Sequence, residues 1–191
     1  FDEHTTQEQV FELSGAKGMV QQVVEGFHAT VFAYGQTSSG KTYTMEGYQY
    51  TASGGEAAPK INFDVDDQRI GLMPRMIHEL FEGVQRRKSA GSTPGAPLSE
   101  KLESVRVRCS YVQIYMEKVY DLLAPGGARV ERGGDAGGPR AWGEQKGSRQ
   151  RRVRWDTRRG FFVENLEWAE CADAQQCLEI LQSGVRNKIM A

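Results

Sequence analysis

Apolar positions first recur at helical spacing at Val10, Leu13, Val20, Val24 and Phe27, with Lys17 the one polar residue on the stripe. The spacing predicts one helix from about Gln7 to Glu25. Thr5 would open it as N-cap with Glu8 in the box position, and Gly26 would close it. Thr30 to Tyr34 is a short apolar run suited to a buried parallel strand, on which that helix would pack. A helix start follows from Lys41 to Glu46, and Gly47 interrupts it. Residues 48–69 are polar and rich in turn formers, so they read as a long surface loop. Met73, Ile77, Leu80, Phe81 and Val84 form the buried stripe of a second helix. Pro74 suits its first position, and Arg86, Arg87 and Lys88 suit the negative pole of its dipole. Residues 89–103 read as a Ser/Gly/Pro loop.

From Val105 to Met116 the period changes to two. Val105, Val107, Cys109 and Tyr111 share one face. The phase shifts at Val112, after which Ile114 and Met116 carry the apolar side, which predicts a strand with a bulge. Glu117 to Leu123 reads as a helical turn stopped by Pro125. Residues 125–149 are a low-complexity insertion holding eight of the 22 glycines, too polar to demand structure of its own. Arg149, Arg151, Arg152, Arg154, Arg158 and Arg159 then crowd into 11 residues, opposed only by Asp156. Phe161 to Val163 predicts a short strand. Asp173 would cap a last helix with Gln176 in the box position, Leu178 and Leu181 on its apolar face and Gly184 at its end.

Composition alters this picture little. A chain of 191 residues with 39% hydrophobic and 26% charged residues suits one soluble domain with its own core. The net charge of −1 gives no global basicity that would point to nucleic acid. No apolar run has membrane-spanning length, and no secretory signal opens the chain. The three cysteines, Cys109, Cys171 and Cys177, lack the C-x-x-C spacing of a zinc or redox site. They read as reduced, mostly buried thiols of an intracellular protein. Asp64, Asp66 and Asp67 lack the Gly and Glu of a calcium loop and read as a solvated acidic stretch. Both ends are abrupt and read like cuts through a larger domain.

The candidate chemistry lies between the predicted strand and the short helix. Gly35-Gln36-Thr37-Ser38-Ser39-Gly40-Lys41-Thr42 fits the phosphate-loop pattern G-x-x-x-x-G-K-[ST] at every fixed position. Glycines at both ends let successive N–H groups turn inward toward an anion. The start of the next helix adds unpaired donors. Lys41 would reach the outer phosphates and the Thr42 hydroxyl would ligate Mg²⁺.

The stretch from Phe32 to Gly47 resembles the kinesin motor domain almost letter for letter. Thr6 to Phe11, Ile70 to Arg75, Tyr111 to Leu123 and Gly184 to Ala191 resemble further blocks of that family, in the family's order. The resemblance implies an α/β P-loop NTPase fold: a mixed, mostly parallel sheet with helices on both faces, here incomplete. It implies an ATP- and Mg²⁺-binding cradle at Gly35 to Thr42, with Tyr43 placed either to stack on adenine or to pack within its helix. It implies a microtubule motor ATPase of the cytoplasm and cytoskeleton, homo-oligomeric through a stalk outside these residues. The segment from Arg151 to Val163 matches a small lobe that touches tubulin in the family. Arg152, Arg154, Arg158 and Arg159 are therefore expected microtubule contacts. The family's two switch patterns, N-x-x-S-S-R-S-H and D-x-x-G-x-E, do not occur in the sequence, so no catalytic residue is assigned. The alternative expectation is a hydrolysis-incompetent module that binds nucleotide or tubulin.

Overall fold

The computed structural model describes residues 1–2, 4–47, 68–91, 104–125 and 149–188. The expected acidic stretch at 64–67 and nearly all of the 125–149 insertion lie outside them, as do residues 48–67 and 92–103 of the two expected loops. The chain divides into two compact units. The first comprises Phe1–Val107 and Cys171–Gln182, and the second Arg108–Glu170 and Ser183–Ala191.

The first unit begins with α1 (Gln7–Leu13) and α2 (Ala16–Val24) in place of one long helix. The break falls at Ser14-Gly15. Gly15 has φ 82°, a left-handed conformation that ends one helix and starts the next. The Ser14 hydroxyl also accepts from the Ala16 amide at 3.3 Å. The N-cap is Thr6, one residue later than expected. Its hydroxyl accepts from Gln9 N at 3.2 Å, while the Gln9 side chain accepts from Thr6 N at 2.9 Å. Thr5 is drawn away by its hydrogen bond to the Asp2 carboxylate, 2.8 Å. After α2 the amides of Gly26 and Phe27 bond back to Val23 and Gln22, so Gly26 closes the helix as its position predicted. The break turns both short helices toward one core, where Phe11 and Ala16 are buried with Leu72.

The helix that follows the candidate phosphate loop is α3 (Lys41–Met45), and Met45 packs on the same core. Gly47 ends it, and α4 (Leu72–Gly91) begins a few residues after the chain re-enters the described region. Gly47 and Gly71 meet backbone to backbone, with Gly71 N donating to Glu46 O at 3.2 Å. A Cβ on Gly47 would overlap the Gly71 amide nitrogen. The end of α3 and the residue before α4 therefore stand at nearly one point.

Pro74 is the third residue of α4, still in the first turn where its missing N–H costs nothing, and it is fully buried. Of the expected stripe, Val84 is buried and Met73, Ile77, Leu80 and Phe81 are half-buried. The helix continues through residues 89–91, into the expected loop. It lies along α2, where Gly83 admits the Val24 side chain and Arg87 donates to the Val24 carbonyl. Glu79 is buried on this helix and paired with Arg86 at 2.5 Å, which offsets the cost of removing a carboxylate from water.

The expected strand at Thr30–Tyr34 is not formed. No strand among the described residues pairs with it, so its backbone has no ladder, and Phe32 and Tyr34 are 81% and 94% exposed. The apolar face of the preceding helices accordingly packs on α4 and not on a sheet.

The second unit contains antiparallel strand pairs. The expected single strand at 105–116 becomes β1 (Val107–Cys109) and β2 (Val112–Tyr115), separated at the phase shift. The expected helical turn at 117–123 is instead β3 (Lys118–Asp121), antiparallel to β2 with Tyr115 opposite Lys118. Met116 and Glu117 form the two-residue turn, both at positive φ (49° and 61°), the combination that reverses a chain between twisted strands. β4 (Gln150–Arg151) adds to β3.

The arginine-rich segment forms β5 (Val153–Asp156), paired antiparallel with β6 (Gly160–Val163), where the short strand at Phe161–Val163 was expected. β7 (Ala169–Cys171) and α5 (Ala174–Arg186) follow, with Cys171–Gln182 counted in the first unit. Asp173 caps it as expected by accepting from Gln176 N at 2.7 Å, and Leu178 and Leu181 are buried. Gly184 does not end α5. It lies inside the helix because the Tyr111 ring rests where a Cβ would stand.

Candidate phosphate loop and basic hairpin

In the first unit, Gly35 to Gly40 make an exposed loop between the irregular 27–34 segment and α3. Ser39 N donates to Gln36 O at 3.2 Å, which tightens the loop into a turn. Ser38 and Gly40 both take positive φ, 67° and 88°. Gly35 has φ 155°, which L side chains rarely adopt, and a Cβ there would press on the rotatable Ser39 hydroxyl 2.5 Å away. Lys41 folds back over the loop. Its Nζ donates to the carbonyls of Gly35 at 2.8 Å and Gln36 at 2.6 Å. The ammonium is thereby fixed at the mouth of the loop, without a carboxylate partner among these contacts to neutralise it. A phosphate fits this donor set, since the contacts holding the lysine are neutral carbonyls.

Thr42 is exposed, with a hydroxyl that suits a hard, oxygen-seeking cation. Tyr43 is 49% exposed, and its carbonyl accepts from the buried Gln7 side chain at 2.7 Å. This bond ties α3 to the start of α1. Gln36 and Thr37 complete the exposed arc.

The second unit carries the basic hairpin. Its tip is built on Asp156, which accepts from the amides of Arg158 and Arg159 at 2.9 and 2.6 Å and from Arg159 Nε at 2.8 Å. These bonds, the Arg159 amide foremost, hold the Asp156 carboxyl below its ordinary value. Arg159 also lies 4.1 Å from the Phe162 ring centroid. Arg154 pairs with Glu164 across the strands at 3.2 Å. Two of the four expected contact arginines are thus engaged within the hairpin. Arg152 and Arg158 are exposed and have no acidic partner among the described residues. On the opposite face Val153, Trp155 and Phe161 are 54%, 60% and 80% exposed.

Asp121 went unremarked in the sequence. It is fully buried and accepts from the amides of Leu123, Ala124 and Glu167 while pairing with Arg151. The one sequence signal was a turn: an Asp placed two and three residues ahead of Leu123-Ala124, with Pro125 following. Asn187 was missed as well. Its side chain joins the Leu122 carbonyl at 2.7 Å to the Arg149 guanidinium at 2.9 Å.

The kinesin motor domain family model matches residues 1–191. The chain is 32% identical over 190 residues to the kinesin-like protein KIN-12E of Arabidopsis thaliana, covering all of this chain and 12% of that protein. It is 38% identical over 120 residues to the human kinesin heavy chain isoform 5C, covering 63% of this chain and 10% of that one. Among solved structures, a fast kinesin aligns with a TM-score of 0.64 and 26% identity over 98% of this chain and 39% of its own length. The chain therefore spans a small part of the curated relatives and well under half of that solved motor. The helices and antiparallel strands described above are part of a P-loop NTPase fold. With the family matched over its full length, the chain belongs to the kinesin motor-domain family.

Proposed function

We propose that residues 1–191 belong to one motor domain that binds ATP with Mg²⁺ and couples its hydrolysis to force on microtubules. The observation that carries this reading is the Lys41 ammonium fixed over the phosphate loop by the Gly35 and Gln36 carbonyls. Kinesin motors are ATPases that bind nucleotide and Mg²⁺ and act on microtubules, which supports the same assignment. In this chain Gly35 to Gly40 would wrap the phosphates with backbone amides. Lys41 would contact the outer phosphates, Thr42 would ligate Mg²⁺, and Tyr43 would stack on adenine from its exposed position. Hydrolysis would draw on groups outside these residues, since neither switch pattern occurs among them. The protein would work in the cytoplasm on the cytoskeleton, as an oligomer held by a stalk.

The test is binding of a fluorescent ATP analogue with Mg²⁺ to the 191-residue chain and to its Lys41→Ala variant. Binding by the parent, weakened at least about tenfold in the variant, is expected, since one charge-assisted contact contributes roughly 1.5–3 kcal/mol. Equal affinity of the two proteins would overturn the assignment of Lys41. The same chain is expected to show no microtubule-stimulated phosphate release.

For tubulin, whose surface is acidic, the hairpin offers Arg152 and Arg158 as free cations. Arg154 and Arg159 are already engaged by Glu164 and Asp156. In co-sedimentation with taxol-stabilised microtubules, the Arg152→Gln/Arg158→Gln pair is expected to bind more weakly and with a shallower salt dependence. Arg154→Gln is expected to change binding less. Unchanged binding in the double variant would remove the hairpin from the interface.

A further inference from the structure

The base of the hairpin is held by one buried carboxylate. Asp121 ends β3 and is completely buried. Its two oxygens do different work. Oδ1 accepts from Leu123 N at 3.0 Å and Ala124 N at 3.2 Å, which shapes the turn after the strand. Oδ2 faces the hairpin. It lies 3.3 Å from Arg151 Nη2 on the chain entering the hairpin. It accepts from Glu167 N at 2.9 Å on the chain leaving it. Between these two anchors, backbone hydrogen bonds among the described residues join the strands to each other, by the Arg152 carbonyl with the Glu164 amide and by the β5–β6 ladder. A second fastening lies beside the first. Asp121 N donates to Arg149 O at 2.8 Å, and the Arg149 guanidinium donates to Asn187, just past α5. Asn187 in turn donates to the carbonyl of Leu122, the neighbour of Asp121.

We infer that Asp121 is a positioning residue that sets where the arginine hairpin stands, by joining both of its strands to the end of β3 and, through Leu122 and Asn187, to the end of α5. This deepens the tubulin reading of the hairpin and rests on it for its functional consequence. The hairpin itself has few means of fixing its direction, because Val153, Trp155 and Phe161 are exposed. Its arginines can meet a partner in a fixed geometry only if the base is rigid. An amide at position 121 cannot replace the carboxylate. With its oxygen toward the turn, its NH₂ would face the two donors of Arg151 and Glu167, and the flipped amide would leave the turn amides without an acceptor.

The experiment is hydrogen exchange of the whole chain, read by peptide, for the parent protein and for Asp121→Asn, Arg151→Gln and Arg151→Lys. Loss of one charge-assisted contact is expected to speed exchange across 150–167 about tenfold or more in Arg151→Gln, with α1, α2 and α4 unchanged. Arg151→Lys keeps the charge beside Oδ2 and is expected to restore most of the protection, which a residue that merely filled space would not do. Combining Asp121→Asn with Arg151→Gln is expected to add little to Asp121→Asn alone, because both remove the same contact. If Asp121→Asn does not fold, the two Arg151 variants decide the matter. Unchanged exchange at 150–167 in Arg151→Gln, or equal losses in Arg151→Lys and Arg151→Gln, would overturn the inference. Microtubule co-sedimentation is run in parallel. A parent chain that fails to bind would refute the tubulin reading while the exchange result still judges the joint. Binding that is undiminished in a variant with a loosened hairpin would separate the joint from the interface.

Discussion

At the scale of single residues, a side chain acquires its chemistry from what surrounds it. His78 sits on α4, half-buried, and its Nε2 atom is buried without a hydrogen-bond partner among the described residues. Burial pushes its pKa below the ordinary 6.5, against a smaller opposing pull from Glu82. The folded chain disfavours the protonated ring, so the unfolded chain takes up the proton first as pH falls. The contribution of His78 to stability is full above 6.5 and is lost as pH drops from there toward the lower folded value. Urea unfolding at pH 7.5 and pH 5.5 checks this. The fall in stability between the two is expected to shrink in His78→Gln, and an identical fall in both proteins would refute it. Asp156 follows the carboxylate rule. Its folded pKa lies below 3.8, so its support of the hairpin tip holds at neutral pH and is lost only as pH falls through that lower value.

At the scale of elements, the successes and failures of pattern reading have separate physical causes. Local signals with strong geometry were legible: the Gly26 helix end, the Asp173 cap and the strand at Phe161–Val163. The failures came where one local signal competed with another. Gly15 lay inside a continuous apolar stripe, and its left-handed backbone divided the helix there. Glu117 to Leu123 reads as a helical turn in the sequence, yet Met116 and Glu117 adopt the positive φ of a hairpin turn, a choice decided by pairing with β2 and not by propensity. Gly184 looked like a helix stop because the ring of Tyr111, distant in sequence, could not be foreseen. The Asp121 joint stayed hidden for the same reason, since its partners lie on β4 and beyond β6. The meeting of Gly47 with Gly71 gives a prediction at this scale. Gly47 has φ 86°, and a Cβ there would overlap the Gly71 backbone. Gly47→Ala is therefore expected to destabilise the first unit by about 3 kcal/mol, from left-handed strain together with overpacking. Chemical denaturation checks this, and a loss under about 1 kcal/mol would mean that α3 and α4 part easily at that point.

At the scale of the whole chain, the candidate phosphate loop hangs on a segment that the described residues leave uncovered. Thr30 to Tyr34 has the composition of a buried strand, yet Phe32 and Tyr34 are exposed and no described strand pairs with it. An extended apolar segment with unpaired backbone groups is a template for another chain. The chain covers 39% of the fast kinesin's length, so in a longer relative further residues are available to meet that segment. Produced as 191 residues, the protein has only its own copies to supply them. The expected outcome is concentration-dependent association in sedimentation velocity, reduced when Phe32→Ser and Tyr34→Ser are combined. Folding must be unaffected in that variant, because neither side chain contributes to the buried core. A parent chain that stays monomeric across about 1–100 μM, the range in which exposed strand edges drive aggregation, would show that the segment is protected without a partner. Association that persists in the double variant would place the contact elsewhere, and the exposed Trp155 and Phe161 of the hairpin are the next apolar pair to replace.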